Sequence, residues 1–195
     1  MKPIKLTEAD RGAILAYIAG EPEMNLFIYG DLENYGVEKE PVSVYAFMDE
    51  SGAWDSLLLR YFDSYVLYSP RGDCDVAGTG EFLASMRADC VGGKRELVER
   101  LAPYFPEKGV RASYLCRCNA VKPGAVRALP QKAELRRLGE GDVDAVVSLL
   151  ATIAEFSGSY GSAEEMEKSK ARMRAELACG SLVYGVFEEG LLVAC

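Results

Sequence analysis

The amino-acid sequence predicts a mixed α/β protein in which a helix pair and an antiparallel meander occur early in the chain and begin again late. Three observations predict this class. A short apolar strand precedes two segments of helical periodicity, three strand-like runs with turn residues between them follow, and residues from position 138 onward repeat the pattern found from position 6. Hydrophobic residues make up 49% and charged residues 27% of the 195 residues, which is typical of a globular protein.

The first elements are a strand and two helices. Ile4 to Leu6 has the apolar alternation of a short strand, and Thr7 with Asp10 three residues later is typical of a helix N-terminus. Pro22 starts a second segment with apolar residues at helical spacing, and Gly36 is placed to end it.

The next runs predict a meander of three antiparallel strands, because they are rich in aromatic and β-branched residues and are separated by turn-forming residues. They are Val42 to Met48, Trp54 to Phe62 and Ser64 to Ser69. A glycine-rich loop is expected from Pro70 to Gly80.

Alternating helices and strands are expected to complete this first unit. The predicted elements are a short helix around Phe82 to Met86, a strand near Cys90, a helix from Lys94 to about Ala102 and a strand from Ala112 to Cys118.

A segment containing prolines and glycines divides the chain into residues 1–120, a linker at 121–133 and a second unit at 134–195. Leu6 and Asp10 align with Leu138 and Asp142 at an offset of 132 residues, so the strand-to-helix unit is used twice. A helix that Ser162 caps and two strands follow. We expect this second unit to be incomplete, the opening half of a repeat of the first.

Composition excludes several classes of function. The formal charge is -8 and no block of Lys or Arg offsets it, so a nucleic-acid partner is not expected. No apolar leader or membrane-length segment is found, so we expect no membrane partner and a cytoplasmic location with reduced thiols. The chain contains no His, which excludes Ser-His-Asp and Cys-His nucleophile systems.

The order of these elements resembles that of the GNAT superfamily of N-acetyltransferases. The opening run Lys5 to Asp10 and the run Glu21 to Gly36 resemble a bacterial tandem branch, in which a GNAT-like domain precedes a second domain that carries the cofactor site. The resemblance implies a GNAT-like acyl-CoA N-acyltransferase fold and acetyl transfer from acetyl-CoA to the primary amine of a small molecule or peptide. It also allows a homodimer.

In that superfamily a turn of the form Arg/Gln-x-x-Gly-x-Gly/Ala binds the pyrophosphate of acetyl-CoA through bare backbone amides at a helix N-terminus. The string Arg136 to Gly141 fits this form, but the internal repeat makes it an ordinary strand-helix junction. In the first unit the corresponding turn offers only Gly78 and Gly80 as weak candidates, among two Asp residues. We therefore expect the cofactor residues to lie outside this chain and the chain to be inactive alone. The alternative is a non-catalytic ligand-binding or dimerisation module.

A few residues are candidates for binding or activating the acceptor amine. Tyr65 and Tyr68, on the fourth strand, are weak catalytic candidates, although aromatic residues in a meander usually pack in the core. Polar residues on the second helix and in the second unit's interhelical loop are candidate substrate contacts, or else a solvated helix face and a plain connection: Asn25, Asp31, Glu33, Asn34, Ser159 and Tyr160.

Cys116-x-Cys118 is predicted to be a pair of buried thiols on a strand. Residues two apart on a strand are badly placed for a disulfide, and zinc would need two further ligands. No metal site is expected.

Overall fold

The computed structural model describes residues 3–117, 119–120, 122–124, 128–156 and 160–195. The chain divides into two compact units, Met1–Cys118 (unit 1) and Asn119–Cys195 (unit 2). Each combines helices with a sheet that is wholly or mostly antiparallel, which confirms the mixed α/β class.

Unit 1 contains a five-stranded sheet in the order β1-β2-β3-β4-β5. Its strands are β1 (Ile4–Lys5), β2 (Val42–Met48), β3 (Trp54–Tyr61), β4 (Ser64–Tyr68) and β5 (Cys90–Gly93). The first four strands pair antiparallel, which for β2 to β4 confirms the predicted meander, whereas β4 and β5 pair parallel. A parallel pair needs a crossover, and a helix supplies it.

Four helices flank this sheet: α1 (Arg11–Ile18), α2 (Leu26–Tyr35), α3 (Val76–Ser85) and α4 (Arg95–Leu101). A 3-10 turn at Glu8–Asp10 leads into α1, where Asp10 Oδ2 accepts a hydrogen bond from Thr7 N at 2.8 Å. Gly36, with φ of 82°, ends α2 as predicted.

The sheet of unit 1 buries apolar residues on both faces, because alternate side chains of a strand point to opposite sides. One face packs against α1 and α2 with Ile14, Ile28 and Leu59 fully buried. The other packs against α3 and α4 with Leu58 and Leu83 fully buried. A continuous run such as Leu57 to Leu59 therefore has no exposed position.

In its described residues, unit 2 contains a three-stranded antiparallel sheet in the order β6-β7-β8 and the α-helices α5 and α6. They are β6 (Ala133–Arg137), α5 (Val143–Ala151), α6 (Ala163–Ala178), β7 (Tyr184–Glu188) and β8 (Leu191–Ala194). The 3-10 turn at Glu140–Asp142 lies 132 residues after that at Glu8–Asp10, as the repeat predicts. Ser162 caps α6 by accepting a hydrogen bond from Glu165 N.

Two predicted elements of unit 1 are wrong. The segment from Ala112 to Arg117 is not a strand but an exposed stretch without regular structure, since none of the strands is hydrogen-bonded to it; Cys118 lies outside the described residues. The expected loop from Pro70 to Gly80 ends early, because Asp75 caps α3 and places Gly78 and Gly80 inside that helix.

Candidate functional site

Four side chains from three segments of unit 1 meet where β4 and β5 end. Tyr68 is the last residue of β4 and Lys94 directly follows β5. Glu21 lies between α1 and α2, and Asn25 directly precedes α2. Parallel strands end at the same edge of a sheet, which is where open α/β sheets usually bind ligands. We call Glu21, Asn25, Tyr68 and Lys94 the polar cluster.

One carboxylate oxygen connects the cluster. Glu21 Oε2 accepts a hydrogen bond from Tyr68 Oη at 3.0 Å and pairs with Lys94 Nζ at 2.6 Å. Lys94 Nζ also lies 5.5 Å from the centre of the Tyr68 ring, within cation-π range. The Lys94 side chain is only 14% exposed, so its ammonium depends on these partners for the solvation it has lost.

Asn25 fixes the backbone that carries Glu21. The Asn25 side chain is buried, and its Nδ2 donates to the carbonyl oxygens of Ile18 and Glu21 at 3.0 and 3.1 Å. Tyr17 holds Tyr68 in place, because the Tyr17 ring meets the Tyr68 ring edge-on with ring centres 5.8 Å apart. The cluster is therefore held in place before any ligand arrives.

The electrostatics of the cluster favour cation binding. The hydrogen bond from Lys94 holds the pKa of Glu21 below its ordinary value. Burial, and then the hydrogen bond to Glu21, raise the pKa of Tyr68 above its ordinary value. Glu21 is thus an anion and Tyr68 a neutral donor at neutral pH. A carboxylate with a lowered pKa is a weak general base, so this arrangement suits binding better than proton abstraction.

An open groove of about 460 Å³ lies beside the cluster, along β5. Lys94 lines the groove as well as belonging to the cluster. Much of the remaining wall is apolar and includes Met24, Phe27, Val66, Val91 and Val98.

The turn before α3 is occupied by carboxylates. Asp75 Oδ1 accepts a hydrogen bond from Gly78 N at 3.0 Å, and Asp55 Oδ2 accepts one from Asp75 N at 2.9 Å. Asp55 also pairs with Arg71 and is buried in the unit. Protein carboxylates therefore take the amides that would face a phosphate at this turn.

Gly80, the second glycine of this turn, has a packing explanation. A Cβ at Gly80 would lie 2.5 Å from ring atoms of Tyr104, so the aromatic ring covers the place of a side chain. Gly78 and Gly80 thus serve the capping and packing of α3, and their role as weak cofactor candidates gains no support.

The structure brings two of the predicted acceptor residues together, Asn25 and Tyr68. Tyr65, three residues from Tyr68 on the same strand, is buried against α3 and α4 on the opposite face of the sheet. Asp31 and Asn34 follow Asn25 by six and nine residues, which at about 100° per residue turns them away from its side of the helix. Glu33 is exposed and pairs with Arg11.

The candidate residues of unit 2 lie far from the polar cluster along the chain. Tyr160 is half-buried, with its ring 6.4 Å from that of Phe156. Burial raises the pKa of Tyr160 above its ordinary value. Ser159 lies outside the described residues.

Sequence reasoning missed Glu21 and Lys94, which are 73 residues apart in the chain. A weak signal was present for each. Glu21 immediately precedes Pro22 in the turn before the second helix, and Lys94 stands at the carboxyl end of a short strand, before a helix. Neither position alone indicates the other as a partner.

The string Arg136 to Gly141 is a strand-helix junction, as the repeat predicts. Asp142 Oδ2 accepts a hydrogen bond from Gly139 N at 2.9 Å, and both oxygens of Asp142 accept from the Arg136 guanidinium. These bonds lower the pKa of Asp142 to about 2, with the Arg136 hydrogen bond as the main cause.

The described cysteines are free thiols, and the predicted burial of Cys116 is wrong: Cys116 is exposed because its segment does not join the sheet. Cys74 is buried, which raises the pKa of its thiol to about 11. Within the described ranges, no group of three His, Cys, Asp or Glu side chains is arranged to hold a metal ion. In the same ranges no helix combines the length and apolarity needed to cross a bilayer.

Comparison of the chain with protein-family models, with curated proteins and with solved structures found no match.

Proposed function

We propose that unit 1 is a ligand-binding module with the element order of an N-acetyltransferase, and that it does not itself bind acetyl-CoA. The observation that carries this proposal is the pair of carboxylates at the start of α3, where Asp75 and Asp55 accept the hydrogen bonds of Gly78 N and Asp75 N.

The physical argument is electrostatic. A pyrophosphate at a helix N-terminus needs unpartnered amides and a positive local field. Here two amides already have carboxylate partners, and a polyanion would meet Asp55 and Asp75 in a partly buried setting. Arg71 does not reverse this field, because it pairs with Asp55.

For the protein as a whole, acetyl transfer from acetyl-CoA to a primary amine is proposed on the sequence resemblance, with the cofactor bound outside unit 1. The polar cluster supports the amine side of this proposal, since a carboxylate, a hydroxyl and an aromatic face together solvate an ammonium group.

Isothermal titration calorimetry of the full chain with acetyl-CoA tests the proposal. We expect no saturable binding at concentrations up to about 1 mM, since the positioning groups for the pyrophosphate are already engaged. A micromolar dissociation constant would contradict this expectation.

Two variants would then locate such a site. Gly139→Ala with Gly141→Ala leaves the fold intact, because a Cβ at either position meets nothing within 4 Å. Loss of binding in this double variant would assign the cofactor to the junction in unit 2. Loss of binding in a Gly78→Ala variant whose circular dichroism matches that of the parent would assign it to the turn in unit 1, since Gly78 is buried.

A further inference from the structure

We propose that Lys94 is a resident occupant of an ammonium-binding site formed by Glu21 and Tyr68, and that a primary amine with an apolar chain displaces it. This inference rests on the ligand-binding role proposed above for unit 1 and adds the class of ligand and its control. The carrying observation is that Lys94 belongs both to the polar cluster and to the wall of the groove.

The Lys94 side chain is itself a model of the ligand, a primary ammonium on a chain of four methylene groups. Its Nζ lies 2.6 Å from Glu21 Oε2 and 5.5 Å from the centre of the Tyr68 ring. Any primary ammonium placed there would find the same carboxylate and the same π face. The site is therefore specific for a chemical group that Lys94 already presents.

The groove defines the rest of the ligand. Met24, two residues before α2, and Phe27, on α2, line the groove and are 38% and 64% exposed. Large apolar side chains at this exposure gain free energy when a ligand covers them. An alkyl or aromatic chain attached to the ammonium would lie along this wall once Lys94 has moved out.

Charge balance selects an amine over other ligands. The exchange replaces one ammonium by another, so the partly exposed Glu21 carboxylate keeps a counter-charge. A carboxylic acid of the same length offers no partner to Glu21 and would be repelled by it. A neutral alcohol would leave the Glu21 charge uncompensated after Lys94 departs.

Lys94 then sets the affinity of the site. For a ligand that binds only the open form, the apparent dissociation constant is the intrinsic constant divided by the fraction of molecules in which Lys94 has left. Removal of the lysine side chain abolishes this competition, whereas arginine keeps a cation in reach of Glu21.

Calorimetric titration of the full chain with n-hexylammonium chloride tests the proposal, with sodium hexanoate as the matched control of opposite charge. We expect Lys94→Ala to bind n-hexylammonium about tenfold or more tightly than the parent, and Lys94→Arg to bind it about as weakly as the parent. Hexanoate should gain no affinity in Lys94→Ala, because it offers Glu21 no counter-charge. Lys39→Ala, which removes an exposed lysine elsewhere, should match the parent.

Two further variants in the Lys94→Ala background locate the ammonium group. Glu21→Gln should weaken binding about tenfold or more, because the amide keeps the shape and loses the charge, and Tyr68→Phe should weaken it about threefold to tenfold. Circular dichroism establishes that each variant is folded. Equal affinity in Lys94→Ala and the parent, or affinity indifferent to Glu21→Gln, would overturn the proposal. Acetyl-CoA is absent from these titrations, so their failure is distinct from failure of the proposed function.

Discussion

The two units of the chain differ in how many faces of their sheet are covered by helices. In unit 1 helices cover both faces, so that Leu57, Leu58 and Leu59 are all buried in one strand. In unit 2 the described helices α5 and α6 contribute to a single apolar cluster. Burial alternates along β7: Gly185 and Phe187 are buried, whereas Tyr184 and Glu188 are exposed. A continuous apolar run in the sequence thus marks a sheet with two cores, and an alternating run marks a sheet with one.

The units nevertheless begin in the same way. Asp10 and Asp142 each accept a hydrogen bond from the backbone amide three residues earlier, at 2.8 and 2.9 Å. Thr7 stands at that position in unit 1 and Gly139 in unit 2. The carboxylate that accepts the bond is common to both, so it is the carboxylate that specifies the turn.

The largest effect expected from this comparison is in the cores. Leu58→Ala should lower the free energy of unfolding by about 3 to 5 kcal/mol, because Leu58 is fully buried in a packed two-sided unit. Leu192→Ala should cost about 2 kcal/mol, because Leu192 lies in a smaller cluster that can relax around the cavity. Native-state hydrogen exchange measures the two losses separately in the amides of each unit. Equal losses would refute the difference in packing.

Local signals predicted much of unit 1 and the opening of unit 2. Turn residues and β-branched runs predicted β2, β3 and β4, and the repeat at offset 132 predicted β6 and α5. The prediction failed at residues 112–117, where β-forming residues have no strand to pair with. The predicted loop also extended too far, into the start of α3, because glycines suggest a loop unless the residue that packs against them is known. Tyr104, which explains Gly80, lies 24 residues later.

The candidate site was only half predictable. Tyr65 and Tyr68 are three residues apart on one strand, so strand alternation alone places them on opposite faces of the sheet. Only one of the two can therefore belong to a site on a given face. Glu21 and Lys94 required knowledge that β4 and β5 pair in parallel through Leu67 and Gly93. That pairing joins segments far apart in the chain, and nothing in the local sequence of either strand specifies it.

A second prediction compares two glycines within helices of unit 1. Gly80→Ala should lower the free energy of unfolding by about 1 to 3 kcal/mol, because the new methyl group would lie 2.5 Å from the Tyr104 ring. Gly30→Ala is the matched control, since a Cβ there meets nothing within 4 Å. It should raise the free energy of unfolding by about 0.5 to 1 kcal/mol through helix propensity. Urea denaturation measures both, and a shift of the same sign in the two variants would contradict the packing role of Gly80.

The smallest expected effect sharpens the comparison of the two helix openings. Asp142 pairs with Arg136, whereas the residue 132 positions before Arg136 is Ile4, which has no charge to offer Asp10. Asp142→Asn should therefore cost about 1 kcal/mol at neutral pH and Asp10→Asn less, because only the former loses a charge-assisted pair.

The pH dependence of the Asp142→Asn variant separates charge from shape. The pKa of Asp142 lies at about 2 against an ordinary 3.8, so the stability that its ionised form adds is complete above the ordinary value. That stability is lost as pH falls through the folded pKa. The parent and Asp142→Asn should thus differ in free energy of unfolding at pH 6 and converge between about pH 4 and pH 2. A difference that stays constant over this range would show that ionisation of Asp142 does not stabilise unit 2, and that the Arg136 pair adds nothing to unit 2 that unit 1 lacks.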